Sequence, residues 1–206
     1  SERCFRLLAP DYFEFLAVGP LVSQLRQSSQ AISIQMLPQQ DGWQQQLLNG
    51  SADFGLDTQL PADERLQAIP VTEETLAVVA RRGHPVITGT LSLENFLAAE
   101  HVVLPLRERQ VLPLDQILGR PGWRRRVGAH VVQYPSLLSV AAASDLIATV
   151  PLRLARQLAH TLDLQVLPFP VPVPNVVVYL MWPHALARDP AHRWMRQRLE
   201  ARLTAL

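Results

Sequence analysis

Nine polar side chains occupy positions from which a chain of this pattern could grip a small molecule: Asp11 and Tyr12 after Pro10, Gln39 and Gln40 after Pro38, Asp57 before Thr58, Arg107 after Pro105-Leu106, Tyr134 and Ser136 around Pro135, and Thr149 before Val150. Each stretch lies at or just beyond a short apolar run of strand character. In open α/β sheets ligands bind beyond the carboxyl ends of the strands. Where such a loop leads into a helix, its free N–H groups and partial positive charge suit anionic or polar groups.

Each of these residues also has a plainer reading. Asp11 stands where a helix N-cap belongs, and as a cap it stabilises that helix end by about 0.5–2 kcal/mol. Its charge would repel a second carboxylate, so a neutral or phenolic ligand fits better than a dicarboxylate unless Arg107 supplies a counter-charge. Tyr12 is a ligand contact or a surface residue. Ser136 caps its helix, touches a ligand, or does both. Thr149 interrupts an apolar strand, as a hydrogen-bonding side chain at a strand end does. Arg107 can clamp an anion with two parallel bonds, or lie solvated beside Arg109.

Other chemistries find little footing. The six histidines (84, 101, 130, 160, 184 and 192) include no pair at i, i+4 and no adjacent cysteine or acidic ligand set, so no metal or other cofactor is expected. There is no G-x-S-x-G elbow, P-loop or dinucleotide fingerprint. Cys4 opens the first strand and reads as a small buried apolar residue. Trp123-Arg124-Arg125-Arg126 reads as a solvated face, and Trp194 and Met195 as core. No enzyme is expected.

Composition agrees with a folded domain that binds no polyanion by itself. The 206 residues are 48% hydrophobic and 18% charged, with 19 basic residues, all arginine, against 18 acidic ones for a net charge of +1. That is too small a charge for counterion-driven DNA binding. No apolar run reaches the roughly 18 residues of a membrane helix, so no membrane partner is expected. Without an export signal in view, the expectation is a cytoplasmic protein.

The elements that must position the nine residues alternate between strand and helix. Strand character is read at 5–9, 31–37, 52–56, 75–80, 101–104, 126–132, 146–150, 164–167 and 176–182. Helical spacing is read at 12–25, 42–49, 92–99, 112–118, 136–143, 152–160 and 190–206. Pro20 should kink the first helix, Gly50 should stop the second, and Ser92 and Asp189 are N-caps. Such alternation favours parallel sheets covered by helices. The strands are too many for one sheet, so two α/β lobes with two crossings, a hinge and a cleft are predicted.

Four stretches carry a further signal: 49–56 (NGSADFGL), 78–85 (VVARRGHP), 144–151 (SDLIATVP) and 189–196 (DPAHRWMR). Together, in this order and spacing, they resemble the effector-binding domain of LysR-type transcriptional regulators. The last two are most similar to the branch of nodulation and aromatic-degradation regulators. The resemblance implies the α/β fold of type 2 periplasmic binding proteins, with lobe I at 1–79 plus 183–206, lobe II at 80–182, two crossover strands, and a ligand in the cleft between the lobes. It also implies a small-molecule effector, which the branch resemblance makes aromatic or phenolic, and a homodimer or higher homo-oligomer. In that dimer lobe I of one chain packs against lobe II of its partner, through the helices from Tyr12 and Ser136. DNA would be reached only through an N-terminal winged helix-turn-helix domain that this sequence lacks. The alternative is a solute-binding protein of a transport system on the same fold.

Overall fold

The computed structural model describes residues 3–28, 31–105 and 122–206. In chain order the elements are β1 (Arg3–Leu8), a π-helical turn (Glu14–Val18) running into α1 (Gly19–Ser28), β2 (Ile32–Leu37), α2 (Gln44–Leu48), β3 (Phe54–Asp57), β4 (Leu66–Glu74), β5 (Leu76–Arg81), α3 (Leu93–Ala98) and β6 (Glu100–Val103). Then follow β7 (Arg126–His130), α4 (Tyr134–Ala143), β8 (Ala148–Pro151), α5 (Leu152–Leu158), β9 (Leu164–Pro168), β10 (Val176–Pro183), a 3-10 turn (His184–Leu186) and α6 (Pro190–Thr204). The helix expected at 112–118 lies outside the described residues.

The chain divides into two compact units, Ser1–Glu73 with Val177–Leu206, and Glu74–Val176. Both divisions fall N-terminal to those expected from the sequence, 79/80 and 182/183, and hydrogen bonding gives the reason. Residues 76–79 of β5 pair with β8 in the second unit. Residues Tyr179 to Met181 of β10 pair with β3 in the first.

In the first unit the strand order is β2-β1-β3-β10-β4. β1 runs parallel to β2 and to β3, while β10 enters antiparallel to β3. Strand alternation turns Phe5 and Leu7 into the core and leaves Cys4 exposed, correcting its reading as a buried residue. The sequence reading also missed β4, because Pro70 interrupts it. The strand lies at the sheet edge, where a missing N–H is tolerated. Pro20 does not simply kink the first helix. It cannot bond the carbonyl of Leu16, and the backbone widens into the π-helical turn just before it. α6 buries His192, Met195, Leu199 and Leu203 on one stripe, while Trp194 lies half-buried beside it under the Arg198 guanidinium, 3.5 Å from the ring centre.

The second unit pairs β8, β5 and β9 antiparallel and β6 with β7 in parallel. A parallel bridge between His101 and Ile147 joins the two sets, with Val102 N–H donating to the Ile147 carbonyl at 3.0 Å. Its order is therefore β7-β6-β8-β5-β9, two parallel pairings followed by an antiparallel strand, as in the first unit. Val78, Ala80, Ile87, Phe96, Ile147 and Leu167 form a core cluster on one face. The caps expected at Ser92 and Asp189 are present, each side chain accepting an N–H three residues on. Gly50 takes the left-handed φ of 78° that ends α2.

Candidate functional site

The parallel strands set which candidate residues share an edge. In the first unit β2, β1 and β3 all point the same way, so the segments that follow them emerge at one edge of the sheet. Those segments carry Asp11 and Tyr12, Gln39 and Gln40, and Asp57. Asp11 is half-buried in the turn before the helix, its carbonyl accepting from Glu14 N–H at 3.1 Å. Tyr12 is 4% exposed and stacked on Phe13, so it is a packed residue rather than a surface one. Gln39 is buried, and its amide donates to the Leu56 carbonyl at 2.7 Å, tying the loop after β2 to β3. The buried Asp57 carboxylate accepts from Thr58 N–H at 2.6 Å. Gln40 is exposed.

The second unit repeats this arrangement. β6, β7 and Ile147 run parallel, so Tyr134 and Ser136, which follow β7, and Thr149, inside β8, lie toward a common edge. Arg107 lies outside the described residues. α4 begins at Tyr134 with Gln133 in the N-cap position and Pro135 in its first turn, so Ser136 is not the cap. It stands in the first turn, half-buried, where backbone N–H groups lack helical partners. Thr149 is also half-buried, and its hydroxyl is shut away from solvent with no hydrogen-bond partner among the described residues. A buried hydroxyl without a partner costs about 1–3 kcal/mol, which marks Thr149 as the candidate with unspent bonding capacity.

The four recognised stretches, one of which contains Thr149, also lock the units internally. In the first unit Asp53 accepts the Arg6 backbone N–H at 2.8 Å, and the Arg6 guanidinium reaches the Gly50 carbonyl at 2.7 Å. His192 Nε2 donates to the Asp53 carbonyl at 3.1 Å and its ring stacks on Phe54. Residues 49–56 are thereby fixed to residues 189–196. Burial lowers the His192 pKa below its ordinary value. In the second unit His84 Nδ1 accepts from Val86 and Ile87 N–H, so Nε2 carries the proton and donates to the Asp145 carbonyl at 3.0 Å. Arg81 bonds the Asp145 carboxylate at 2.7 Å. Residues 78–85 are thereby fixed to residues 144–151.

Sequence reasoning missed two features. His101 is fully buried, donates from Nε2 to the Phe96 carbonyl at 2.7 Å, and is held neutral by burial, which lowers its pKa to about 4. The second is a hollow of about 460 Å³ in the second unit, walled by α5, β9 and residues 169–173. The alternation of proline with apolar residues from 168 to 174 was its only trace in the sequence.

Comparison with known proteins agrees with this geometry. The family model described as the LysR substrate binding domain matches residues 2–204. Nodulation protein D 1 of Rhizobium leguminosarum bv. phaseoli is 29% identical over 198 residues, covering 95% of this chain and 63% of the relative. This chain therefore spans less than two thirds of that relative's length. The crystal structure of probable transcriptional regulator PA0477 from Pseudomonas aeruginosa superposes with a TM-score of 0.86 at 32% identity, covering 98% of this chain and 67% of that one. The effector binding domain of QuiR in complex with shikimate shares the fold at a TM-score of 0.80 and 15% identity, over 98% of this chain and 97% of that one. With two α/β units of matching strand order and a family model that matches residues 2–204, the chain belongs to the LysR substrate-binding domain family and has its type 2 periplasmic-binding-protein-like fold.

Proposed function

We propose that this chain is the effector-sensing part of a transcriptional regulator that reads a small neutral or phenolic metabolite. The carrying observation is the buried hydroxyl of Thr149, without a partner among the described residues, which lies at the same edge of its unit as Tyr134 and the first turn of α4 at Ser136. In the first unit Asp11 places a negative charge at the corresponding edge, which disfavours a second carboxylate there. The fold holds shikimate in QuiR, which supports a ringed, hydroxyl-bearing ligand. A ligand would shift the regulator between two states by no more than its differential affinity for them. Gene control would follow through a DNA-binding domain elsewhere in a longer cytoplasmic protein. Family membership favours this reading over a transport protein, and the chain would carry out no reaction of its own. Calorimetric titration with a panel of phenols and their carboxylated analogues tests it. Saturable one-to-one binding of a phenol, weakened at least tenfold by Ser136→Ala or by a second carboxylate on the ligand, is the expected result. Binding of dicarboxylates alone would overturn the assignment.

The same reading takes the chain to be a homodimer, the first unit of one copy against the second unit of the other. Phe15 on the first helix is 43% exposed, and Val127 and Val132 along and beyond β7 are 45% and 84% exposed. Apolar groups left open on both units suit such pairing. Sedimentation analysis should find a dimer that Phe15→Glu converts to monomer.

A further inference from the structure

We infer that the second unit carries a separate site for a small apolar carboxylate, in the hollow beneath α5. The walls are Leu152 and Arg156 on one side of α5, Thr75 to Ala77 at the start of β5, Val166 to Phe169, and the side chains of Val171 and Val173. Its volume of about 460 Å³ lies within the range of small-molecule pockets.

The hollow adjoins Thr149 without including it. Thr149 lies opposite Val78, on the face of the sheet that carries Phe96 and Ile147. Ala77 lies between Val150 and Pro168 in the ladders, one residue along from the Val78–Thr149 pair, and Leu167 and Phe169 join the hollow to the Phe96 core. Thr149 is not among the residues that wall the hollow, and substituting it distinguishes this site from the proposed effector site.

The walls are stiff. Pro168, Pro170, Pro172 and Pro174 alternate with Phe169, Val171 and Val173, and each proline fixes its own φ while restricting the residue before it. Phe169 is anchored edge-on against Phe96, and Thr75 Oγ1 donates to Asn175 Oδ1 at 3.0 Å, fastening the strap at its far end. The prolines also present no N–H, so an added peptide strand has few donors to pair with there. A small molecule is the occupant that fits.

Its charge follows from Arg156. The neighbouring Arg153 bonds Glu74 at 3.0 Å, whereas Arg156 is exposed and makes no ion pair among the described residues. A guanidinium beside otherwise apolar walls selects a ligand with one anionic end and an apolar body, and its planar fork matches a carboxylate.

Isothermal titration of the whole chain with 2-naphthoate and with 2-naphthamide tests the inference. The acid should bind one-to-one, and the amide at least about tenfold more weakly, as should the acid to Arg156→Gln. Val171→Trp should abolish binding by filling the hollow, while Thr149→Val should leave it unchanged. Equal affinity for acid and amide, no saturable binding, or indifference to both Arg156→Gln and Val171→Trp would overturn the site. Loss of binding in Thr149→Val would place the ligand at the proposed effector site instead and overturn it equally.

Discussion

The two units follow one plan and are held by different forces. Each has two parallel pairings followed by an antiparallel strand, and in each a histidine reaches a backbone carbonyl in a stretch it must hold in place. In the first unit that histidine, His192, is sandwiched into the core on Phe54, and the Arg6–Asp53 pair beside it is 35% and 12% exposed. In the second, His84 bonds two backbone N–H groups from a surface turn, and the Arg81–Asp145 pair is 33% and 60% exposed. Both histidines are buried, but the ion pair of the first lock is better shielded and that of the second lies more open to solvent. The stretches that carry the family resemblance thus act as structural fastenings, and one of them, 144–151, also holds the candidate Thr149.

The sharpest way to break this contrast is at two tightly packed glycines. A methyl group on Gly55 would run into the indole of Trp43, itself buried among Leu47 and neighbouring core residues. On Gly128 it would meet the end of the Leu146 side chain at 2.7 Å, which can rotate away. Gly55→Ala should therefore cost about 3 kcal/mol and Gly128→Ala under about 1 kcal/mol in urea unfolding. Equal costs would erase the distinction.

A smaller effect comes from acid. Because His101 titrates near 4 in the fold and near 6.5 when unfolded, the unfolded chain takes up the proton first as pH falls. Stability is complete above about 6.5 and is lost between there and about 4, by roughly 2 kcal/mol at pH 5 relative to pH 8. His192, shifted the same way, adds to this. His101→Asn should flatten the profile in equilibrium unfolding at the two pH values. Smaller still, Arg81→Gln should cost at most about 1 kcal/mol, as an exposed pair does.

Much of this was legible in the sequence. Caps at Ser92 and Asp189, the stop at Gly50 and the division into two units follow from local chemistry and strand counting. β4 was not legible, because Pro70 is allowed only by an edge position that pairing alone establishes. Neither was the committed state of Gln39, whose partner at Leu56 is brought near by the sheet. Cys4 was misread because a strand's first residues show its alternation only against a known core. Of the nine candidates, Thr149 was chosen for breaking an apolar run, and it is its hydroxyl that is buried without a partner among the described residues.

Thr149→Val tests the central claim most directly, measured as unfolding free energy with and without a phenolic ligand that stabilises the parent chain. Replacing a buried, unpartnered hydroxyl with a methyl should leave the free chain as stable or slightly more so. The ligand's contribution, about 2.7 kcal/mol at 100 times its Kd, should largely vanish. A free chain destabilised by the substitution, or a ligand contribution that survives it intact, would contradict the account.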